Sequence, residues 1–299
     1  MTAVRPRGVI AATPTPVHPD FTPDLERLAA HCRALLDGGC DAINLLGTTG
    51  EANAFSVDQR LGIMKGLKDA GLPLRRFLVG TGLCNLGETA VLTRAAAELG
   101  FAGALVVPPF YYRDPAPEGL IMYYEALVSK VSHAACAIYL YHIPQNTSVP
   151  LPIEVVTALH ERHPGIIVGL KDSAGDLAYS RAIARALPTF DVFPSSETSL
   201  GSSREDGFAG VISGTTNITA EESQTAWQAP DTAAGKAALL KAGERRAALT
   251  RGGLIANVKS ALADRYADPE WSRVIPPMRP ITPHQAEALR EALALLAEA

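Results

Sequence analysis

Short apolar runs alternate with longer segments of helical periodicity through about two thirds of this 299-residue chain, and that alternation constrains its fold more than any other feature. Candidate strands read at 8–12, 42–46, 77–80, 104–107, 137–141, 166–170, 191–193 and 210–213. Between them lie helical segments at 24–36, 57–70, 86–99, 118–131 and 177–187, several followed by the glycine that a helix C-cap favours. Eight strands joined by helical crossovers predict an α/β fold, a closed (β/α)8 TIM barrel over residues 1–218. Beyond it the pattern is helical only, including 233–249 and 283–299, and no low-complexity linker intervenes. Residues 219–299 are therefore expected to form a C-terminal helical extension packed on the barrel. An open doubly wound sheet is the alternative, because Gly80-Thr-Gly82 follows a strand and precedes a helix as a dinucleotide loop does. Its sixth position is Asn85, so the third glycine of that motif is missing.

A composition of 47% hydrophobic and 19% charged residues is that of an ordinary globular protein. A net charge of −4 offers no basic stripe for a phosphate backbone, which argues against nucleic acid as a partner and for a small ligand. Cys32, Cys40, Cys84 and Cys136 form no CxxC pair and no Cys/His cluster, and read as reduced core residues of a cytoplasmic protein. The apolar run at 8–12 is too short for a signal sequence. The long uncharged stretch 131–153 holds His133, His142, Pro144, Gln145, Asn146 and Pro150, which a membrane-spanning helix would leave unsatisfied; it reads as strand and loop.

Catalytic groups of such barrels sit at the C-terminal ends of the strands. Lys171 follows the apolar run Ile166-Ile-Val-Gly-Leu170 and is the one lysine that ends a strand. Lys65, Lys68, Lys130, Lys236 and Lys241 fall on solvent-facing helical patterns, and Lys259 falls in the helical C-terminal region. Desolvation at a strand end favours the neutral amine, the form that attacks a ketone carbonyl. A rim charge paired with Asp172 is the structural alternative. Tyr141 ends the preceding strand, where a phenol can shuttle protons or simply pack as a buried aromatic. Gly47-Thr48-Thr49-Gly50 offers hydroxyls and backbone N–H groups, a seat for a carboxylate or a plain capped turn. Tyr111 and Tyr112 suit either catalysis or a subunit contact. The seven histidines form no ligand-spaced group with carboxylates, which disfavours a metal-dependent reaction.

Together these segments resemble the dihydrodipicolinate synthase and N-acetylneuraminate lyase family of pyruvate-dependent class I aldolases. Gly47-Thr-Thr-Gly-Glu51 is similar to the family's carboxylate loop, Tyr141-His-Ile-Pro144 to its tyrosine motif, Gly169-Leu-Lys-Asp172 to its lysine motif and Gly210-Val-Ile-Ser213 to its eighth strand. With Val274-Ile-Pro-Pro-Met-Arg-Pro280 also family-like, the resemblance spans essentially the whole chain. It implies a homotetramer that needs neither metal nor organic cofactor. It implies too that Lys171 forms the imine with pyruvate, Tyr141 relays protons, Thr48, Thr49 and Gly50 seat the 2-oxo acid carboxylate, and the Ile212 carbonyl lies beside it. Tyr111, preferred over Tyr112, completes the relay from a neighbouring subunit.

The departures concern the second substrate, an aldehyde. Synthase members carry an arginine shortly after the tyrosine motif, whereas Gln145-Asn146-Thr147 stands here, and an amide pair does not replace a bidentate carboxylate clamp. His142 replaces the family's asparagine, and Pro194-Ser-Ser-Glu-Thr198 lacks the acidic sugar-binding stretch of sialic acid lyases. His142, Ser196 and Glu197 are the expected contacts to that substrate. The same imine serves carbon–carbon cleavage or formation, the 4-hydroxy-tetrahydrodipicolinate synthase reaction, or loss of water from a 2-oxo-3-deoxy sugar acid. A non-catalytic binding protein on this fold is the alternative from another class, and its mark would be a lost lysine or tyrosine.

Overall fold

The computed structural model describes residues 5–131 and 136–298, which leaves out His133 and the ends of the two expected regions at 1–4 and 299. Eight strands, β1 (Gly8–Ala12), β2 (Ala42–Leu45), β3 (Phe77–Gly80), β4 (Gly103–Val106), β5 (Ile138–His142), β6 (Ile167–Asp172), β7 (Asp191–Pro194) and β8 (Gly210–Ser213), lie parallel in the order 7-6-5-4-3-2-1-8. β8 pairs with β1, and the Ala209 N–H donates to the Val192 carbonyl at 2.9 Å, bringing the two ends of the sheet together. The result is the expected (β/α)8 barrel. Every strand residue is buried, which is why the strands read as continuous apolar runs rather than alternating ones.

Helices α1 (Leu25–Asp37), α2 (Val57–Asp69), α3 (Leu86–Leu99), α4 (Pro117–Val131), α5 (Pro144–Thr147, a single turn), α6 (Ile153–Arg162), α7 (Leu177–Ala186), α8 (Ser203–Asp206, also one turn) and α9 (Thr216–Gln228) accompany the strands. Asp24, Ser56, Asn85 and Asp176 start α1, α2, α3 and α7 by accepting a backbone N–H of the first turn. α10 (Ala233–Thr250), α11 (Leu254–Tyr266) and α12 (Pro283–Glu298) form the extension. Position 218 lies inside α9, which packs on β1. No described helix is long and apolar enough to cross a membrane.

The barrel interior is filled by Ile10, Ala12, Leu78, Leu105, Tyr139, Phe193 and Ile212, while the outward residues of the strands pack on the helices. The pairing of β5 with β6 contains one irregularity. Ile138 faces Ile167 but Tyr139 faces Gly169, so two residues of β6 advance against one of β5, a β-bulge at Val168. Ile167 and Leu170 both pack on the helices, three positions apart, whereas strict alternation would place them on opposite faces. Past the bulge Lys171 is on the interior face with its partner Tyr141, and Asp172 faces outward beside His142. Gly169 is required in this turn of the chain, since a Cβ there would meet the Tyr139 ring at 2.5 Å.

Three cysteines are buried as expected, Cys32, Cys40 and Cys136, and burial pushes each thiol up to about 12. Cys84 is exposed instead, because it stands in the loop between β3 and the cap of α3, outside the apolar pattern of either.

His31 of α1 joins barrel to extension. It is 1% exposed, its Nε2 donates to Asn217 Oδ1 at 2.9 Å, and its Nδ1 accepts from the Tyr266 hydroxyl at 2.8 Å. Burial, helped by Arg265 and opposed by the Asn217 bond, holds it down to about 4. As pH falls below the ordinary histidine range, the unfolded chain takes up a proton that the folded chain refuses, so stability falls with it. The stability advantage of wild type over His31→Gln is expected to shrink by about 3 kcal/mol between pH 7 and pH 4, read as urea midpoints. A gap that does not change with pH would contradict the buried neutral imidazole.

Candidate active site

The pairing of β5 with β6 beyond the bulge sets Tyr141 opposite Lys171. The Lys171 Nζ donates to the Tyr141 hydroxyl at 3.3 Å and lies 4.5 Å from the centre of its ring. On the other side the Tyr141 hydroxyl is 3.2 Å from Thr48 Oγ1. A phenol oxygen that accepts from the amine can pass its own proton to the threonine, so the three groups form a short proton path. Burial by itself would raise the Tyr141 phenol. The charge of Lys171 and hydrogen bonds with Thr48, Ser173 and Lys171 outweigh that and hold it below its ordinary value. A phenol so poised gives and takes protons more readily than a free tyrosine.

These groups line a cavity of about 790 Å³ at the C-terminal ends of the strands, together with Thr49, Ile212 and residues of the extension. Such a volume suits a small organic acid with room for a second molecule. Five of the expected residues, Lys171, Tyr141, Thr48, Thr49 and Ile212, are thus assembled on one wall.

Five others, Ser196, His142, Gly50, Glu197 and Tyr111, do not line the cavity, and the pleat explains two of them. Phe193 points into the barrel, so Pro194 points out, Ser195 points in and lines the cavity, and Ser196 turns aside to pair its hydroxyl with Thr198 at 2.8 Å. His142 follows Tyr141 and faces α7, stacked on Tyr179 with ring centres 4.4 Å apart, its Nδ1 accepting from Leu151 N–H at 3.1 Å. Beside it Asp172 accepts from Ser180 at 2.7 Å; burial pushes His142 down and Asp172 up. Gly50 is buried under the loop, its carbonyl accepting from Thr15 Oγ1 at 2.8 Å. Glu197, the other expected contact from β7, is fully buried and accepts from Thr215 and Thr219 at 2.5 and 2.9 Å. Tyr111 and Tyr112 are 76% and 79% exposed and lie off the cavity. Among the described residues no group of three or more His, Cys, Asp or Glu side chains could hold a metal ion.

Two features carry no signal in the apolar pattern. Arg246 of α10 reaches the cavity from the extension, and its Nη1 lies 3.1 Å from Glu197 Oε2. Lys259 of α11 is fully buried and ion-paired with Glu51, whose Oε1 accepts from Ile275 N–H at 2.7 Å. Burial drives the Lys259 ammonium down although Glu51 opposes it. The buried lysine breaks no apolar run, because Asn257 and Ser260 beside it are polar and buried as well.

A sequence profile of the Dihydrodipicolinate synthetase family matches residues 5–298. An uncharacterized DapA-like lyase of Chloroflexus aurantiacus is 36% identical over 208 residues, 69% of each chain. Among solved structures, dihydrodipicolinate synthase from Agrobacterium tumefaciens superposes with a TM-score of 0.89 at 28% identity over 97% of this chain and 99% of that one. The chloride-inhibited dihydrodipicolinate synthase from Acinetobacter baumannii, complexed with pyruvate, gives 0.87 at 27% identity, with 97% and 99% covered. With the family profile matched from one end of the described chain to the other and the fold shared throughout, this chain belongs to the dihydrodipicolinate synthetase family.

Proposed function

We infer that this chain is a pyruvate-dependent class I aldolase-type lyase in which Lys171 forms an imine with the 2-oxo acid. The observation that carries the reading is the contact of the Lys171 amine with the Tyr141 hydroxyl, 3.3 Å apart on the wall of a cavity of about 790 Å³. The neutral amine adds to the C2 carbonyl of pyruvate, and Tyr141 protonates the carbinolamine oxygen so that water leaves. The protonated imine then accepts the electrons released when a proton is lost from C3. The enamine so formed adds to an aldehyde carbonyl, and hydrolysis frees the product and Lys171; the reverse sequence releases pyruvate. Thr48 and Thr49 bind the carboxylate, and the Ile212 carbonyl faces the same moiety.

Tyr111 takes part only if a neighbouring subunit presents it. Its 76% exposure, beside an equally exposed Tyr112 with ring centres 5.3 Å apart, supports a homotetramer in which these rings are covered. Four free cysteines suit the reducing cytoplasm. The 4-hydroxy-tetrahydrodipicolinate synthase reaction is less well supported. The loop after Tyr141 offers no guanidinium, and the Gln145 amide is engaged with the Ser173 carbonyl at 2.6 Å.

Borohydride added in the presence of pyruvate should fix a pyruvyl adduct on the peptide that contains Lys171, read by mass mapping. A folded protein that yields no adduct, or an adduct on another lysine, would refute the imine.

A further inference from the structure

The cation missing from the loop after Tyr141 enters the cavity from another direction. Arg246 of α10 lines it, with its side chain 22% exposed. One corner of the guanidinium is fixed: Nη1 lies within hydrogen-bonding distance of Glu197 Oε2 at 3.1 Å, Ser213 Oγ at 3.0 Å and Thr215 Oγ1 at 3.0 Å. Glu197 is itself held by Thr215, Thr216 and Thr219, so the anchor is rigid. The opposite edge, Nε and Nη2, makes no hydrogen bond to protein among the described residues. Ser213 and Thr215 flank Gly214, which lines the cavity, and Ile212 precedes them. The fixed guanidinium therefore stands over the end of β8, next to the wall assigned to pyruvate.

Besides the Lys171 amine, the described cavity wall carries two guanidinium groups, Arg246 and Arg279, and no Asp or Glu. The one carboxylate that neutralises Arg246 sits behind it, outside the cavity. A free Nε–Nη2 edge presents two parallel N–H groups, which match the two oxygens of a carboxylate. A substrate ending in a methyl group would displace water from that edge and leave it unpaired, which disfavours such a substrate strongly.

We propose that Arg246 is a specificity-determining residue that binds a carboxylate at the far end of the second substrate, so that the aldehyde partner is itself an acid. This rests on the imine reading above, since the acid is placed relative to pyruvate on Lys171. Nη1 serves as the hinge pin and the Nε–Nη2 edge as the clamp. Arg279, exposed at the rim, adds to the field that draws a dianionic 2-oxo acid inward.

The test uses the full chain and 2-oxo acids of matched length, trapped on Lys171 by borohydride: 2-oxoglutarate against 2-oxopentanoate, and 2-oxoadipate against 2-oxohexanoate, with pyruvate as reference. The expected result is a half-saturating concentration at least about tenfold lower for the dicarboxylate of one pair. In Arg246→Lys, which keeps a cation for Glu197 but has no planar fork, that ratio should fall toward one. Thermal melting of the variant confirms that the comparison is made on folded protein, and the ratio in the wild type needs no variant at all. A ratio near one in the wild type, or one retained in Arg246→Lys, overturns the proposal while a pyruvate adduct leaves the imine standing. Failure to trap pyruvate itself brings down the imine reading and this one with it.

Discussion

Lys171→Ala should yield no pyruvyl adduct and lose turnover by a factor on the order of 10⁴ to 10⁶, as removal of a covalent nucleophile does. Its fold should survive. The Lys171 amine is hydrogen-bonded to Tyr141 at the cavity wall, and the alanine leaves that hydroxyl its contact with Thr48 at 3.2 Å. The measurements are borohydride trapping, steady-state rates with pyruvate and an acidic aldehyde, and a thermal melt close to that of the wild type. Retained turnover in the folded variant would end the imine mechanism, whatever the adduct assay showed.

Lys259→Met should do the reverse. Its ammonium is fully buried against Glu51, and loss of one partner leaves the other as an uncompensated buried charge. Breaking such a pair costs about 3–5 kcal/mol, or roughly 6–10 °C in Tm for a domain of this size. Glu51→Gln should cost a similar amount. The double variant Glu51→Gln/Lys259→Met should recover most of the loss, because two neutral groups replace two charges and no uncompensated buried charge remains. Additive losses in the double variant would show that the two residues act separately. Because Glu51 closes the loop that carries Thr48 and Thr49, the single variants should also raise KM for pyruvate. The two lysines thus separate cleanly: one carries chemistry at little structural expense, the other carries structure and touches the chemistry only through a loop.

That contrast shows where the sequence was legible. The barrel was, because eight runs such as Gly8–Ala12 and Gly210–Ser213 are buried on both faces and therefore apolar without interruption. Tyr141 and Lys171 were, because each breaks such a run near its end, where the barrel opens. His142 and Ser196 turn away from the cavity for one reason. A motif gives proximity along the chain, whereas the cavity takes only the residues whose side chains the pleat turns inward. Ser195 lines the cavity and Ser196 does not, though nothing in their chemistry distinguishes them. Arg246 was out of reach for another reason. It sits on a helix of the extension, and only its partners Glu197, Ser213 and Thr215, more than thirty residues earlier, give it a place in the site.

The bulge at Val168 has a consequence for how such a site withstands changes in chain length. The extra residue of β6 is taken up locally, so which of Lys171 and Asp172 faces the reaction is settled by their pairing with Tyr141 and His142 and not by the number of residues that precede them. Removing one codon at Val168 would join Ile167 to Gly169 in unbroken register with Ile138 and Tyr139, and Lys171 would still pair with Tyr141 and face the substrate. A lineage can therefore gain or lose a residue at this point of the strand while the face that serves the reaction stays the same beyond it.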